Sequence, residues 1–331
     1  MAKFRCGVIG AGFMGKNHAQ RLARHPLAEL VAMADTDTEK AGAIVREVAP
    51  QARFHATGHE MLAAEKLDAL YVALPPFAHA GEVEAAAAKG LHVFLEKPLA
   101  ISSARAQTMV TAIERAGVVS QVGFHLRFLK SVTALKKAID EGAAGRPTLF
   151  SGRYWTRMDG SDWWRDRGRS GGQALEQIIH MYDLAMFLFG PLAEAQGVAA
   201  NLTHLNRADY TIEDTSLGVA RFRNGALAVV TGSNCAVDMH FFGDFRVVCE
   251  HLTLDHVCAG QTWVAPDRAT FYRSNGQVET LVEDGDPYGA ETDDFLAAIR
   301  GKRPALTPVR QGLEAMRVAE KVRDGNLLPL P

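Results

Sequence analysis

Short apolar runs alternate with helix-like segments along the first third of the chain. Strands are predicted at Phe4–Ile9, Glu29–Ala34, Arg53–His55, Asp68–Leu74, His92–Leu95 and Val118–Gly123. Helices are predicted between them, including Phe13–Arg24, Ala80–Lys89 and Ser103–Ala116. Most of these strands are continuously apolar, as is typical of a parallel sheet covered on both faces. Residues 1–124 are therefore predicted to form a doubly wound α/β domain.

The pattern changes beyond about residue 126. A region of alternating apolar and polar positions from Ala193 to Leu281, with turn signals such as Asn224-Gly225, predicts a largely antiparallel sheet. The other predicted elements are a helix at Phe128–Glu141, a strand at Thr148–Thr156, an apolar helix from the glycine turn at Gly171-Gly172 to Phe189, and helices at Tyr288–Arg300 and Val309–Arg323. Residues 125–331 are predicted to form a second domain that binds substrate and makes subunit contacts. Its last helices could pack back on the first domain.

Composition narrows the possible partners. The chain has 331 residues, of which 47% are hydrophobic, and this length exceeds what one core usually supports. The formal net charge of -2 comes from well-mixed acids and bases. Nucleic acid and anionic membranes are therefore disfavoured as main partners. A small molecule is expected instead.

Cysteine usage and apolar run lengths bear on location. Four cysteines are scattered without a CxxC pair, which favours a reduced, cytoplasmic environment over a disulfide framework. The longest apolar stretches, such as Leu184–Ala193, fall short of the roughly 20 residues that a membrane span needs. A strand pattern begins within the first few residues. A soluble, unprocessed cytoplasmic protein is expected.

A glycine-rich turn lies between the first strand and the first helix. In Gly10-Ala-Gly12-Phe-Met-Gly15, the first glycine permits a tight turn, the second lets the backbone approach a pyrophosphate, and the third allows close helix packing. The helix N-terminus that follows offers donors and positive potential to phosphates. Asp35 at the end of the next strand would accept hydrogen bonds from the adenosine ribose. A glycine-rich turn with a solvated Asp cap is the alternative.

Asp35 also bears on the choice of cofactor. A carboxylate at this point repels a 2′-phosphate, and the next residues, Thr36-Asp37, offer no arginine to bind one. The sequence therefore predicts NAD, with NADP disfavoured.

The strand at His92–Leu95 ends in Glu96-Lys97-Pro98. Ligands bind beyond the carboxyl edge of open α/β sheets, so Lys97 is expected at the mouth of the cofactor crevice. Pro98 keeps Lys97 out of helical angles, and the bond between them could be cis. A solvated strand-terminal lysine is the alternative.

A polar stripe interrupts the apolar helix of the second domain. Gln173, Glu176, His180 and Asp183 follow one another at spacings of three, four and three, so they share one helix face. A polar stripe on a buried helix must face partners or a cavity. A core histidine paired with Glu176 remains an open interpretation. A metal site is disfavoured, because three mixed ligands on one helix chelate poorly.

Five motifs together resemble the glucose-fructose oxidoreductase/inositol dehydrogenase family (Gfo/Idh/MocA). They are GAGFMG with His18 just after it, LPPFAH, EKPLA, VGFHLRF, and the glycine turn before Glu176-x-x-x-His180-x-x-Asp183. The resemblance runs from the first strand to the last helix. It implies a Rossmann domain, a second α/β domain with an open, mostly antiparallel sheet, and NAD(P)-dependent oxidation or reduction of sugars or cyclitols. It also implies Lys97 as a catalytic residue and His180 as the acid/base.

The predicted site residues form three sets. Catalytic roles are predicted for Lys97, His180 and Glu176, although Glu176 stands where the family usually has Asp. Cofactor contacts are predicted for Gly10, Gly12, Phe13, Met14, Gly15, Asp35, Leu74, Pro75, His79, Glu96 and Lys97. Substrate contacts are predicted for Lys97, His125, Arg127, Arg157, Trp164, Arg165, His180 and Asp183. Packing is an alternative role for Trp164, and solvation for Arg127.

The sequence thus predicts an NAD-dependent oxidoreductase that moves a hydride between a secondary hydroxyl and nicotinamide. His180 would remove the hydroxyl proton and Lys97 would stabilise the alkoxide. The alternatives are an NAD-retaining glycoside hydrolase and a non-catalytic ligand-binding homologue. A homodimer or homotetramer is expected through the second sheet, with apolar candidates at Phe241, Phe242, Phe245 and Val247.

Overall fold

The computed structural model describes residues 2–157, 160–236, 240–258 and 266–325. The chain divides into two compact units. The first consists of Met1–Phe124 with Tyr288–Leu313, and the second of His125–Pro287 with Glu314–Pro331.

Within the described part of the first unit, six strands form one sheet. They are β1 (Phe4–Ile9), β2 (Ala28–Ala34), β3 (Arg53–His55), β4 (Ala69–Val72), β5 (His92–Leu95) and β6 (Ser120–Val122). Their order is β3-β2-β1-β4-β5-β6, and every pairing is parallel. The order reverses between β1 and β4, and ligands bind at the carboxyl ends of strands beside such a reversal. The predicted doubly wound parallel sheet is confirmed.

Helices connect these strands, and three of them begin with a side-chain cap. The helices are α1 (Phe13–Arg24), α2 (Thr38–Val48), α3 (Gly58–Ala64), α4 (Glu82–Ala88) and α5 (Ser103–Ala116), with a 3-10 turn at Pro76–Ala78. The side chains of Asp37, Thr57 and Ser102 each accept a backbone hydrogen bond at the start of α2, α3 and α5. These caps satisfy donors that have no partner inside the helix.

Aromatic rings fill part of the core of the first unit. Tyr71 and Phe94 stack with their centroids 4.8 Å apart. Phe295, from the C-terminal portion of the unit, packs edge-on against both rings. Such pairs contribute beyond the burial of their area.

A second sheet contains nine strands among the described residues. They are β7 (Pro147–Thr156), β8 (Leu192–Ala200), β9 (Thr215–Phe222), β10 (Leu227–Ser233), β11 (Phe241–Phe242), β12 (Phe245–Cys249), β13 (Leu252–Val257), β14 (Asp267–Arg273) and β15 (Val278–Glu283). The order is β15-β14-β13-β12-β7-β10-β9-β8, with β11 beside β7. Pairing is antiparallel except between β7 and β10, which confirms the mostly antiparallel sheet. The predicted β region also covers 237–239 and 259–265, which lie outside the described residues.

The remaining helices are α6 (Lys130–Asp140), α7 (Asp162–Arg165), α8 (Arg167–Ser170), α9 (Ile179–Phe189), α10 (Pro287–Gly301) and α11 (Val309–Arg323). A 3-10 turn at His125–Phe128 precedes α6, and a π-helical turn at Ala174–Ile178 precedes α9. α9 packs against β7 and β10, which explains why so many of its residues are apolar. None of the described helices is both long and apolar enough to cross a bilayer.

The second sheet has a buried face and an exposed face, because successive side chains of a strand point to opposite sides. Phe150, Phe245 and Val247 are buried. The opposite face exposes Leu217 and Val219, among others. The prediction that Phe245 and Val247 offer an apolar surface to another subunit is therefore wrong, since both side chains belong to the core.

Candidate active site

The glycine-rich turn is closed by backbone contacts that a side chain would prevent. Gly10 has a φ of 98°, and a Cβ there would lie 2.3 Å from the carbonyl oxygen of Ala73. A Cβ on Gly15 would lie 1.8 Å from the carbonyl oxygen of Gly10. Glycine is therefore required at both positions for β1, α1 and the residue after β4 to approach one another.

Open space lies above the middle glycine. A Cβ on Gly12 would meet no atom within 4 Å, and no side chain of the described residues caps the start of α1 at this position. Phe13 beside it is 76% exposed, and Met14 is half-buried. The first N–H groups of α1 are therefore placed to bind an anion, as a dinucleotide pyrophosphate requires. These residues fit NAD.

Asp35 stabilises the same turn from the end of β2. Its carboxylate accepts a hydrogen bond from the backbone N–H of Ala11 at 2.6 Å and another from that of Asp37 at 2.9 Å. The side chain is only half-buried. A carboxylate has about four acceptor positions, so capacity remains to accept hydrogen bonds from the ribose hydroxyls of a dinucleotide.

Lys97 follows a buried carboxylate that two groups hold in place. Glu96 Oε1 accepts a hydrogen bond from His18 Nε2 at 2.8 Å, and Glu96 Oε2 accepts one from the backbone N–H of Lys97 at 3.2 Å. Burial would raise the pKa of Glu96, but the hydrogen bond from His18 and the charges of His18 and Lys97 hold it below its usual value. Glu96 is thus an anion that fixes the backbone of Lys97. The Lys97–Pro98 peptide is cis.

The segment after β4 contains the other predicted cofactor contacts. Leu74 and Pro75 are half-buried just beyond the strand. His79 Nδ1 lies 2.6 Å from Glu82 Oε1, which places the imidazole at the start of α4. Burial alone would raise the pKa of Glu82, but the hydrogen bond and charge of His79 lower it. The contact with Glu82 therefore supports a structural role for His79 beside the start of α4.

A π-helical turn sets the position of Glu176 before α9. The indole N–H of Trp164 donates to Glu176 Oε2 at 2.7 Å, and Trp164 is buried against Tyr210 and Ile212. Trp164 therefore orients Glu176 rather than presenting its face to solvent. π-helical turns inside α-helices occur frequently at functional sites.

Aromatic rings surround His180, which is 3% exposed. The ring of His125 meets that of His180 edge-on, with centroids 4.9 Å apart. Tyr154 of β7 lies nearly parallel to His180, with centroids 6.1 Å apart and an interplanar angle of 13°. The structure thus brings the rings of His125 and His180 into contact.

The other two polar positions of the stripe bind protein groups. Asp183 accepts hydrogen bonds from Arg127 Nε at 2.8 Å and from a terminal nitrogen of the same guanidinium at 2.5 Å. The side chain of Gln173 is buried and hydrogen-bonds with those of Asn234 and Ser216. Arg127 and Asp183 therefore satisfy each other, and their contacts support a structural role.

The two remaining predicted arginines lie near the surface. Arg165 donates to Asp162 at 2.6 Å, to Asp209 at 3.1 Å and to the carbonyl oxygen of Gly160 at 2.6 Å. Arg157 is exposed just beyond β7 and forms an isolated bridge with Cys235. The carboxylates around Arg165 leave little positive charge to attract an anionic substrate.

One group of metal-ligand side chains lies close together among the described residues, namely His204, Asp214 and Cys235. The hydroxyl of Thr203 lies 2.8 Å from Asp214 Oδ2 and 3.1 Å from both His204 Nδ1 and Cys235 Sγ. The Asp214 carboxylate also accepts from the backbone N–H groups of Leu202 and Thr203. The Thr203 hydroxyl therefore occupies the position between these side chains that a metal ion would need. The hydrogen bonds of Thr203 and Asp214 hold the loop in place.

Sequence reasoning missed two contacts at the site. His18 was only part of a motif, although it binds Glu96. Tyr154 was not considered, although strand alternation places it on the same face as buried Phe150. That alternation is the signal that could have found Tyr154.

A Rossmann sheet with an uncapped glycine turn, and a second unit with a buried histidine among aromatic rings, are typical of a dinucleotide-dependent oxidoreductase. Residues 4–124 match the family described as "Oxidoreductase family, NAD-binding Rossmann fold", and residues 132–255 match the "GFO/IDH/MocA C-terminal domain". The chain belongs to the Gfo/Idh/MocA family. Its first domain is the NAD-binding domain of that family.

Similar proteins extend this result. The chain is 31% identical to myo-inositol 2-dehydrogenase of Thermotoga maritima over 237 residues, covering 70% of this chain and 69% of that protein. It is 28% identical to scyllo-inositol 2-dehydrogenase (NAD(+)) of Bacillus subtilis over 323 residues, covering 92% and 89%. Levoglucosan dehydrogenase in complex with NADH and levoglucosan shares the fold, with a TM-score of 0.86, 21% identity and coverage of 97% and 96%.

Proposed function

We propose that the protein is an NAD-dependent dehydrogenase that moves a hydride between a secondary hydroxyl carbon of a sugar or cyclitol and nicotinamide. The observation that carries the proposal is His180, a buried imidazole between the rings of His125 and Tyr154, in a chain of the Gfo/Idh/MocA family. The relatives named above are dehydrogenases. They give no support to a glycoside hydrolase or to a silent ligand-binding protein.

The proposed roles follow from the chemistry of the side chains. NAD, when bound, supplies a nicotinamide ring that accepts or returns a hydride. His180 takes the hydroxyl proton as general base, and Lys97 stabilises the negative charge that develops on the oxygen. Glu96 fixes the backbone of Lys97, and Trp164 holds Glu176 by a hydrogen bond.

The charge distribution favours an uncharged substrate. The guanidinium groups of Arg127 and Arg165 are both paired with carboxylates, so neither is available in this arrangement to bind a phosphate or carboxylate of a substrate. Free polyols are thereby favoured over sugar phosphates and nucleotide sugars. Inositol and levoglucosan, the compounds in the names of the relatives, are uncharged as well.

The decisive experiment is a screen of NAD reduction. We expect NADH formation with at least one of myo-inositol, scyllo-inositol and levoglucosan, and much lower activity with sugar phosphates and nucleotide sugars. The Lys97→Ala variant serves as the control for background reduction. A wild-type protein that binds NAD but forms NADH with no polyol of a broad panel would contradict the proposal.

We also propose a cytoplasmic homodimer or homotetramer. Support comes from the exposed face of the second sheet, which carries Leu149, Leu217, Val219 and Leu227 with exposed fractions of 38–52%. Apolar positions on one open face are typical of surfaces that bind another protein. Cell fractionation tests the location, and recovery with membranes would contradict it.

A further inference from the structure

Tyr154 occupies an inward-facing position of β7 next to the proposed acid/base. α9 approaches β7 closely at Gly152, where a Cβ would lie 3.2 Å from the sulfur of Met181. Two residues further along the same face, the Tyr154 ring lies nearly parallel to the His180 ring, with centroids 6.1 Å apart. The ring of Phe241, in β11, meets the Tyr154 ring edge-on, with centroids 4.6 Å apart. The phenol is thus held in one orientation beside His180.

The hydroxyl of Tyr154 forms no hydrogen bond with any of the described residues, and the side chain is half-buried. Burial raises the pKa of the phenol, and the nearby charges of Glu176 and Cys258 raise it further. The group is therefore a neutral hydrogen-bond donor at any physiological pH.

We propose that Tyr154 is a substrate-contacting residue, which donates a hydrogen bond to an oxygen of the sugar or cyclitol beside the carbon that His180 serves. The proposal rests on the proposed function and deepens it. A polyol offers several hydroxyl oxygens next to the reacting carbon, and a donor fixed against the His180 ring selects how these oxygens are placed. Tyr154 is thereby a determinant of which hydroxyl is oxidised.

The matched variant is Tyr154→Phe, which keeps the ring contacts with His180 and Phe241 and removes only the hydroxyl. Its control is Tyr272→Phe on the exposed face of the sheet, where the tyrosine is 46% exposed. Both variants are compared with wild type by kcat, by KM and by calorimetric binding of myo-inositol, scyllo-inositol and levoglucosan to the NADH-bound protein. Thermal unfolding checks that each variant is folded.

We expect Tyr154→Phe to lose roughly ten- to a hundred-fold in kcat/KM and to bind the polyol more weakly, because an oxygen is left without its donor. Tyr272→Phe should match wild type. With a monodeoxy-inositol that lacks the contacted hydroxyl, the kcat/KM of wild type should fall by a similar factor, whereas that of Tyr154→Phe should fall no further. The two changes remove the same hydrogen bond.

The two proposals fail in different ways. Equal kcat/KM and equal polyol binding in wild type and Tyr154→Phe would overturn the role of Tyr154 and leave the dehydrogenase intact. Absence of NADH formation and of polyol binding in wild type itself would contradict the proposed function, and the role of Tyr154 with it.

Discussion

Pairing of buried charges decides which residues near the site are available to a substrate. Arg127 and Asp183 are both about 1% exposed and bind each other through two hydrogen bonds. Burial raises the pKa of Asp183, and the charge of Arg127 partly offsets this effect. Either charge without the other would be costly inside the protein. The pair therefore joins the 3-10 turn that contains His125 to the helix that contains His180.

Replacing Asp183→Asn should lower the free energy of unfolding by about 3–5 kcal/mol, because it leaves the Arg127 charge buried and unpaired. Urea unfolding provides the measurement. The matched control is Glu194→Gln, which breaks an exposed pair with Arg221 and should cost no more than about 1 kcal/mol. Equal small losses in both variants would show that the buried pair is not needed for stability.

The residues of the polar stripe show what the sequence could and could not predict. The helical spacing of Glu176, His180 and Asp183 was enough to expect polar contacts on a buried helix. Their partners could not be predicted, because Arg127 is 56 residues from Asp183 along the chain. Only the fold brings such distant residues together.

At the scale of elements, the turn between β1 and α1 combines two kinds of glycine. Gly10 and Gly15 allow backbone segments to touch, whereas Gly12 faces open space. The first kind is required by the fold itself. The second is required only by a ligand that approaches the backbone.

This distinction predicts opposite results for two alanine variants. Gly12→Ala should leave the Tm of the ligand-free protein unchanged, because Gly12 has a φ of -72° and a Cβ there meets no atom within 4 Å. The same variant should weaken NAD binding at least about ten-fold, because its methyl group lies where the pyrophosphate approaches. Gly15→Ala should lower the Tm of the ligand-free protein. Calorimetry with NAD and thermal unfolding provide both values. Unchanged NAD affinity in Gly12→Ala would show that the cofactor does not approach this glycine.

Elements with strong periodicity were predicted best. The predicted helices at Phe13–Arg24, Ser103–Ala116 and Val309–Arg323 have the bounds found in the structure. The four-residue helices α7 and α8 were missed, because segments this short depend on caps and tertiary contacts rather than on a periodic pattern. The π-helical turn before α9 was missed for a similar reason, since a single extra residue per turn leaves no signal in the hydrophobic pattern.

At the scale of the whole molecule, the exposed face of the second sheet is the proposed subunit contact. Leu217 and Val219 are adjacent on the outward side of β9 and are 45% and 50% exposed. A nine-stranded sheet with one open apolar face is unusual for a monomer. The face is therefore expected to be covered by a second copy of the chain.

The double variant Leu217→Glu/Val219→Glu should dissociate the oligomer, because four carboxylates would meet across each symmetric contact. Sedimentation velocity measures the change in mass. The matched control is Leu202→Glu/Leu205→Glu, which alters two exposed leucines outside the strands, with exposed fractions of 58% and 73%. A wild-type monomer, or an unaltered oligomer in the double variant, would contradict the proposed interface.

The central proposal is that Lys97 and His180 are both catalytic residues of the dehydrogenase. The most direct test is the rate of NADH formation from myo-inositol or scyllo-inositol, whichever turns over faster, by wild type, Lys97→Ala, His180→Ala and the double variant. The claim predicts that His180→Ala loses roughly 10²–10⁴-fold in kcat, that Lys97→Ala also loses activity, and that the double variant loses much less than the product of the two factors, because residues that act as a unit are not additive. Wild-type kcat in either single variant would contradict it.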